Sequence, residues 1–391
     1  METKHELKMW KQVTLLRSSH TRKICEELKV ISKRCMSEQH NEVILSEIKN
    51  NKGLLTLNRP KALNSLNYSM VSGIIPKLIE WENLVDCVIV QGAGEKAFCA
   101  GGDVVAVTSG DPLNCKDGIN FFRNEYTMDY IIGNYKKPYI AIIDGITMGG
   151  GVGISVHGKY RIATEKTLFA MPETAIGLFP DVGGSYFLPR LEGKLGLYLA
   201  LTGQRLKGRD VVKVGVGTHF IESQNVPILV DALIKADPKQ DHFVDDILKK
   251  HTVDITSHMF SLTPHLAKIN QCFSAPTVEE IIKRLESDGS QFSKDTLKLL
   301  HKMSPISLKI TKVQLEKGAL MNLKECLQME FRLAKAALEA RSSRDFYEGV
   351  RALLKDKDQN PQWNPKSLEN VTDEMIQRCF KNIKPADELK L

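Results

Sequence analysis

From about Val43 to about Val226, short apolar runs alternate with turn-rich stretches and with segments whose apolar residues recur at helical spacing, which predicts an α/β core. Two runs, residues 85–91 and 139–143, are short and almost unbroken and predict buried strands. Each leads into a glycine-bearing turn, KAFCAGGD at 96–103 and DGITMGGGVG at 144–153, with a helix expected beyond. After Val226 the texture changes. Residues 227–235, 278–285 and 323–340 space their apolar side chains for helices. Pro361 and Pro365 then bracket Trp363, break the helical pattern and leave an expected polar tail. The pattern divides the chain into 1–36, an α/β core over 37–226 and a helical region over 227–391. No apolar run approaches the ~18 residues of a membrane span.

Candidate chemistry concentrates at 169–190, FAMPETAIGLFPDVGGSYFLPR, where Glu173 and Asp181 lie in a stretch otherwise apolar and rich in Gly and Pro. Carboxylates in such surroundings lose hydration, so they are either paired structurally or tuned for chemistry. An Asp after Pro also serves as a turn or cap residue, so the pair alone does not decide. The two upstream turns add to the case. Glycines there admit positive φ and let backbone N–H groups approach a ligand. Two such turns brought together could give two amide donors to one oxygen, the arrangement that stabilises the oxyanion of an attacked ester or thioester carbonyl.

These pieces together resemble the crotonase (enoyl-CoA hydratase/isomerase) superfamily. The resemblance runs from about Val43 to about Trp363, with LNRPKALNSL at 57–66, KAFCAGGD, GITMGGGVG and PETAIGLFPDVGG in family order. It implies the crotonase spiral of repeated β-β-α units followed by a helical C-terminal region. It also implies that the backbone amides of Gly102 and Gly150 form the oxyanion site. Ala100 of the first turn is expected against the substrate, and Arg59 and Lys61 near CoA. Hydratases of the family carry two glutamates; here one position is Gly153 and the other is Glu173, while Asp181 stands where the hydratases have glycine.

One acid kept, one lost and one gained matches the family's acyl-CoA hydrolases, to which 155–191 and RDFYEGVRALLKDKDQNPQW at 344–363 are most similar. The implied reaction is thioester hydrolysis, most narrowly of 3-hydroxyisobutyryl-CoA in valine degradation. Glu173 would attack the carbonyl or act as general base, and Asp181 would orient water or bind the acyl hydroxyl, with reversed roles also open. Glu125 aligns with a third acid at the substrate site; its alternative is a solvated helix residue beside Arg123. Hydration of a short enoyl-CoA, or a catalytically silent acyl-CoA-binding scaffold, are the competing readings.

Other chemistries lack their motifs. GISVHG is not a G-x-S-x-G elbow, which leaves Ser155 and His157 as local packing or hydrogen-bonding residues. Neither a G-x-G-x-x-G fingerprint nor a phosphate loop occurs, and neither H-E-x-x-H nor C-x-x-C is present. No metal and no cofactor is expected, CoA being part of the substrate. The eight cysteines are scattered, Cys99 reads as a small buried hydrophobe, and the net charge of +7 suits an anionic small molecule. Nucleic acid and membrane are not expected partners; the family resemblance implies that the C-terminal helices pack on the core or on neighbouring subunits of a homo-oligomer.

Residues 1–36 have no counterpart in the resemblance and mix nine Lys and Arg with apolar residues, which suggests a mitochondrial presequence and a matrix address. Glu2, Glu6, Glu26 and Glu27 run against that composition. The rival address is peroxisomal, from the C-terminal Leu389, Lys390 and Leu391.

Overall fold

The computed structural model describes residues 42–238 and 242–391; the segment 1–36, read as a presequence, lies outside them. Residues 44–391 form one compact unit. The chain enters as a hairpin, β1 (Ile44–Lys49) antiparallel to β2 (Lys52–Leu57). Asn50 and Asn51 turn it with φ of 47° and 60°, the paired left-handed conformation that matches the twist of the strands. Helix α1 (Tyr68–Trp81) follows; Asn67 caps it by accepting from the Met70 N–H, and it buries Met70, Val71, Ile74, Leu78 and Trp81 along one stripe.

Three similar passes then build two sheets. They are β3 (Cys87–Gly92) into β4 (Ala97–Cys99), β5 (Tyr139–Ile143) into β6 (Ile146–Met148), and β7 (Tyr160–Ala163) into β8 (Leu168–Ala170). The first strand of each pass lies in a six-stranded sheet, the second in a four-stranded one. After β4 comes a single helical turn, Val104–Val107, and then α2 (Lys116–Gly133); after β6 comes α3 (Gly150–Val156). This is the expected spiral of β-β-α units. The small sheet closes with β9 (Leu206–Lys207) and the large one with β10 (His219–Phe220).

Every residue of β5 is buried, as its unbroken apolar run requires of a parallel strand covered on both faces. One cover comes from α4 (Val226–Lys235) and α5 (Phe243–His251), whose Leu229, Leu233, Val244 and Leu248 pack with Ile140, Ile142 and Ile162. The later helices include α6 (Val278–Asp288), α7 (Pro305–Gly318), α8 (Leu323–Leu338) and α9 (Asp373–Phe380). A reciprocal capping box between Asn322 and Glu325 starts α8, which packs on α2. Among the described residues no helix is long and apolar enough to cross a membrane.

The stretch after Pro365, expected as a polar tail, is packed instead. Val371 and Ile376 join Ile306 in a small apolar cluster. Leu389 is buried, Gln328 donates to its carbonyl at 3.0 Å, and Lys324 reaches the Leu391 carbonyl at 2.7 Å. The C-terminal tripeptide is therefore docked on α8. Arg123 of α2 adds bonds to the carbonyls of Asp387 and Glu388 at 2.6 and 2.8 Å. These contacts tie the tail to two helices that also carry buried acids. Leu389→Ala is expected to lower unfolding free energy by about 2 kcal/mol, read by urea denaturation, because it empties a buried leucine site; an unchanged midpoint would mean that the tail contributes nothing to stability.

Candidate active site

The two glycine turns are not loops alone: each contains a short strand, β4 and β6, and these pair in parallel in the small sheet. That pairing brings the glycines together. Gly102 forms an isolated bridge in which the Leu66 N–H donates to the Gly101 carbonyl and the Asp103 N–H to the Leu66 carbonyl. The Gly102 N–H is left over. Gly150 is the first residue of α3, where an N–H has no intrahelical acceptor. A Cβ built on Gly150 would lie 3.2 Å from the Gly102 nitrogen, so the two amides are neighbours. Gly149, with φ of 45°, makes the turn into the helix, and a Cβ there would stand 2.9 Å from Glu173 Oε1.

Both amides border a cavity of about 570 Å³, in the range of small-molecule sites. Ala100, Gly102, Glu125, Gly150, Glu173 and Asp181 all line it, so the expected catalytic and acyl-binding positions converge. Phe121, Phe122 and Met148 supply apolar wall. Arg59 and Lys61 are not brought to the cavity. The Arg59 guanidinium is committed to the Asp103 carboxylate at 3.0 Å and the Ser65 carbonyl at 2.7 Å, and Lys61 points to solvent. Arg205 and Lys357 are the cations that line it. Both are exposed side chains in polar surroundings, without a pattern that could have marked them in the sequence.

Glu173 opens the 3-10 turn Glu173–Ile176 after β8, and Asp181 follows in the loop beyond. Both are buried. Tyr126 of α2 donates its hydroxyl to Asp181 Oδ2 at 2.7 Å, whereas Glu173 Oε2 has no partner among the described residues. Burial pushes Asp181 up to about 6, against the opposing pull of the Tyr126 hydrogen bond. Burial and then the Asp181 charge push Glu173 well above the usual carboxylate range. Burial and mutual repulsion favour a single charge on the pair, and the Tyr126 hydrogen bond favours Asp181 as its seat. Glu125 is raised likewise, by burial first and then by Asp181 and Glu173.

Glu125 is not the solvated residue that its neighbour Arg123 suggested. Along α2 the buried positions include Gly118, Phe121, Phe122, Glu125, Asp129 and Ile132, so two acids share the apolar stripe. Two acids in phase with apolar residues were the sequence signal for Asp129, which the reading missed. Asp129 is fully buried and both its oxygens are without partners among the described residues. A Cβ built on Gly153 would lie 2.8 Å from Asp129 Oδ1 and 2.7 Å from Val182 Cβ. No side chain fits at 153, and the volume a glutamate would need there is taken by Asp129 and Val182. Ser155 and His157 are hydrogen-bonded locally, to the Gly151 and Val152 carbonyls and to the Val182 carbonyl. Cys99 is buried, its thiol pushed up to about 12 by burial. Among the described residues no His, Cys, Asp and Glu cluster could hold a metal ion.

The comparisons with known proteins fit this geometry. The family model for enoyl-CoA hydratase/isomerase matches residues 52–380. The chain is 54% identical over 344 residues to the mitochondrial 3-hydroxyisobutyryl-CoA hydrolase of Xenopus laevis, covering 87% of this chain and 88% of that one. It is 50% identical over 351 residues to the mitochondrial 3-hydroxyisobutyryl-CoA hydrolase of Homo sapiens, with coverage of 88% and 90%. Among solved structures, a carnitinyl-CoA dehydratase from Mycobacterium thermoresistibile superposes with a TM-score of 0.82 at 37% identity, over 90% of this chain and 99% of that one.

Burial of an unpartnered acid sets a test with a defined sign. The pKa of Asp129 is raised by burial and by the charges of Glu125, Asp181 and Glu330, so the folded state holds its proton after the unfolded chain has lost it. Stability contributed by this group therefore falls as pH rises above the ordinary aspartate value of 3.8, by up to about 1.4 kcal/mol per pH unit. Asp129→Asn is expected to gain stability relative to wild type steadily between pH 5 and 8, measured by thermal melts at matched ionic strength. A difference that does not change with pH would show that Asp129 titrates alike in the folded and unfolded states.

Proposed function

The chain belongs to the enoyl-CoA hydratase/isomerase family, and on that footing we propose that it hydrolyses the thioester of 3-hydroxyisobutyryl-CoA, giving 3-hydroxyisobutyrate and free CoA in the mitochondrial degradation of valine. The observation that carries this reading is the buried pair Glu173 and Asp181 beside two convergent glycine amides, with the 153 position closed to any side chain. The relatives at 54% and 50% identity bear the name of that activity and that organelle.

A pair that shares one proton offers one acid and one base. Asp181, ionised, takes a proton from the attacking water; the carbonyl oxygen, gaining charge, is received by the Gly102 and Gly150 amides. Losing one such donor typically costs about 2.7–4 kcal/mol of barrier. As the carbon–sulfur bond breaks, Glu173 gives its proton to the departing sulfur, which leaves as the thiol. Direct attack by Glu173 would need its ionised form, which burial opposes. Glu125, held neutral by the same burial, can both donate to and accept from a hydroxyl on the acyl chain. Arg205 and Lys357, at the cavity and in no ion pair among the described residues, suit the phosphates of CoA. No metal or separate cofactor enters the reaction. Hydration of an enoyl-CoA is disfavoured because the second acid of that reaction has no room at Gly153.

Purified protein is expected to release thiol from 3-hydroxyisobutyryl-CoA and to hydrate crotonyl-CoA poorly. Efficient hydration with negligible thiol release would overturn the hydrolase reading. Glu173→Gln and Asp181→Asn should each reduce turnover by about 10²–10⁴-fold with folding retained. Because Asp181 is ionised above about 6, kcat/KM should decline as pH falls through that value; a profile flat from pH 8 to 5 would exclude it as the base.

A further inference from the structure

Asp181 lies in residues 180–185, whose backbone is unusual: Val182 has φ of 51° and Gly183 φ of 82°. A left-handed conformation is an outlier for a β-branched residue, and such outliers persist only where their surroundings over-determine them. Four helices meet that condition. The Tyr126 hydroxyl on α2 donates to Asp181 at 2.7 Å, and His157, at the end of α3, places Nε2 2.7 Å from the Val182 carbonyl. From α7, Gln314 donates Nε2 to the Pro180 carbonyl at 2.7 Å. From α8, Glu330 accepts the Gly183 N–H at 2.7 Å, the Ser185 N–H at 2.9 Å and the Ser185 hydroxyl at 2.5 Å.

Glu330 is the costly member. It is fully buried and in no ion pair among the described residues, and apolar residues fill such helix faces with less desolvation. Packing alone does not call for a carboxylate here. A group that accepts two backbone N–H bonds on one loop, from both its oxygens, does. Neither Glu330 nor Gln314 lines the cavity.

Resting on the thioesterase reading above, we propose that Glu330 and Gln314 are positioning residues for that reaction: by holding the backbone on both sides of Val182 they keep it left-handed, and so keep the Asp181 carboxyl aimed into the cavity and onto Tyr126. The C-terminal helices thus enter the chemistry without touching the substrate.

The test uses the full chain and 3-hydroxyisobutyryl-CoA, with kcat, KM and melting temperature measured for each variant. In Glu330→Gln the amide cannot accept from both N–H groups without turning its own N–H toward one of them. Gln314→Met removes the donor to Pro180 at nearly constant volume. Glu330→Gln should lose about 10–100-fold in kcat and Gln314→Met about 3–10-fold, since small displacements of a reacting group are that costly. KM should stay within about threefold, since substrate contacts are untouched. Leu327→Ala, buried on the same helix, is the stability control: it should melt lower yet keep kcat per folded enzyme. If Glu330→Gln does not fold, Gln314→Met carries the test. Wild-type kcat in the folded variants, or losses no larger than those of Leu327→Ala at equal stability, would overturn the proposal. Absence of thiol release by the wild type would instead remove the thioesterase reading, and the proposal with it.

Discussion

Glu125, Asp129, Glu173, Asp181 and Glu330 are all buried, and none is in an ion pair among the described residues. Like charges so placed cannot all ionise, because burial and mutual repulsion both favour the neutral forms. The interior must therefore hold protons at neutral pH and decide where the remaining charge sits. Hydrogen bonds make that decision. Asp181 receives the Tyr126 hydroxyl and Glu330 receives three donors, while Asp129 receives none. Glu330 is still pushed up to about 8, so even its donors only partly offset burial.

Much of the fold can be understood as the frame for this arrangement. Helix α2 carries Glu125, Tyr126 and Asp129 on its buried stripe, and α8 carries Glu330. The two helices pack together, and the C-terminal residues bind both, through Arg123 on one and Gln328 and Lys324 on the other. A set of mutually repelling acids needs stiff supports, since relaxation would let water in and lower the pKa values again. The apolar surface of those helices supplies the stiffness, at no cost in further charge.

Two strands of the large sheet were legible in the sequence because they are nearly unbroken apolar runs: residues 85–91 overlap β3 and residues 139–143 coincide with β5. The small sheet was not. Its strands of two or three residues, such as β6 at Ile146–Met148, are too short to show a period and lie inside what reads as a glycine turn. The helices beginning at Val278 and Leu323 followed their apolar spacing, whereas the tail was misread because its buried residues, Val371, Ile376 and Leu389, are spread among many charged ones. At the site, Glu173, Asp181 and the glycines stood out by motif, and the resemblance added Glu125. Asp129 and Glu330 did not stand out, since a lone acid on a helix is ordinarily solvated and only the phase of α2 spoke otherwise. The pairing of Arg59 with Asp103 could not be read from the sequence either, because the two are brought together only by the bridge between Leu66 and Gly102.

The absence of a side chain at 153 has a consequence beyond the loss of one acid. With Asp129 and Val182 filling that space, the cavity acids are Glu125, Glu173 and Asp181, and the proposed mechanism draws its acid and base from the last two. Hydration needs carboxyls that add a water and handle its proton at a carbon–carbon bond. Hydrolysis needs them at the carbonyl carbon and the sulfur, beside the amides that take the oxygen's charge. Restoring a glutamate at 153 is therefore not a route back to hydration in this chain, because the new side chain would collide with Asp129 and push on Val182. That push would reach Asp181 through the neighbouring peptide, so Gly153 and Asp181 are tied to each other by packing as well as by chemistry.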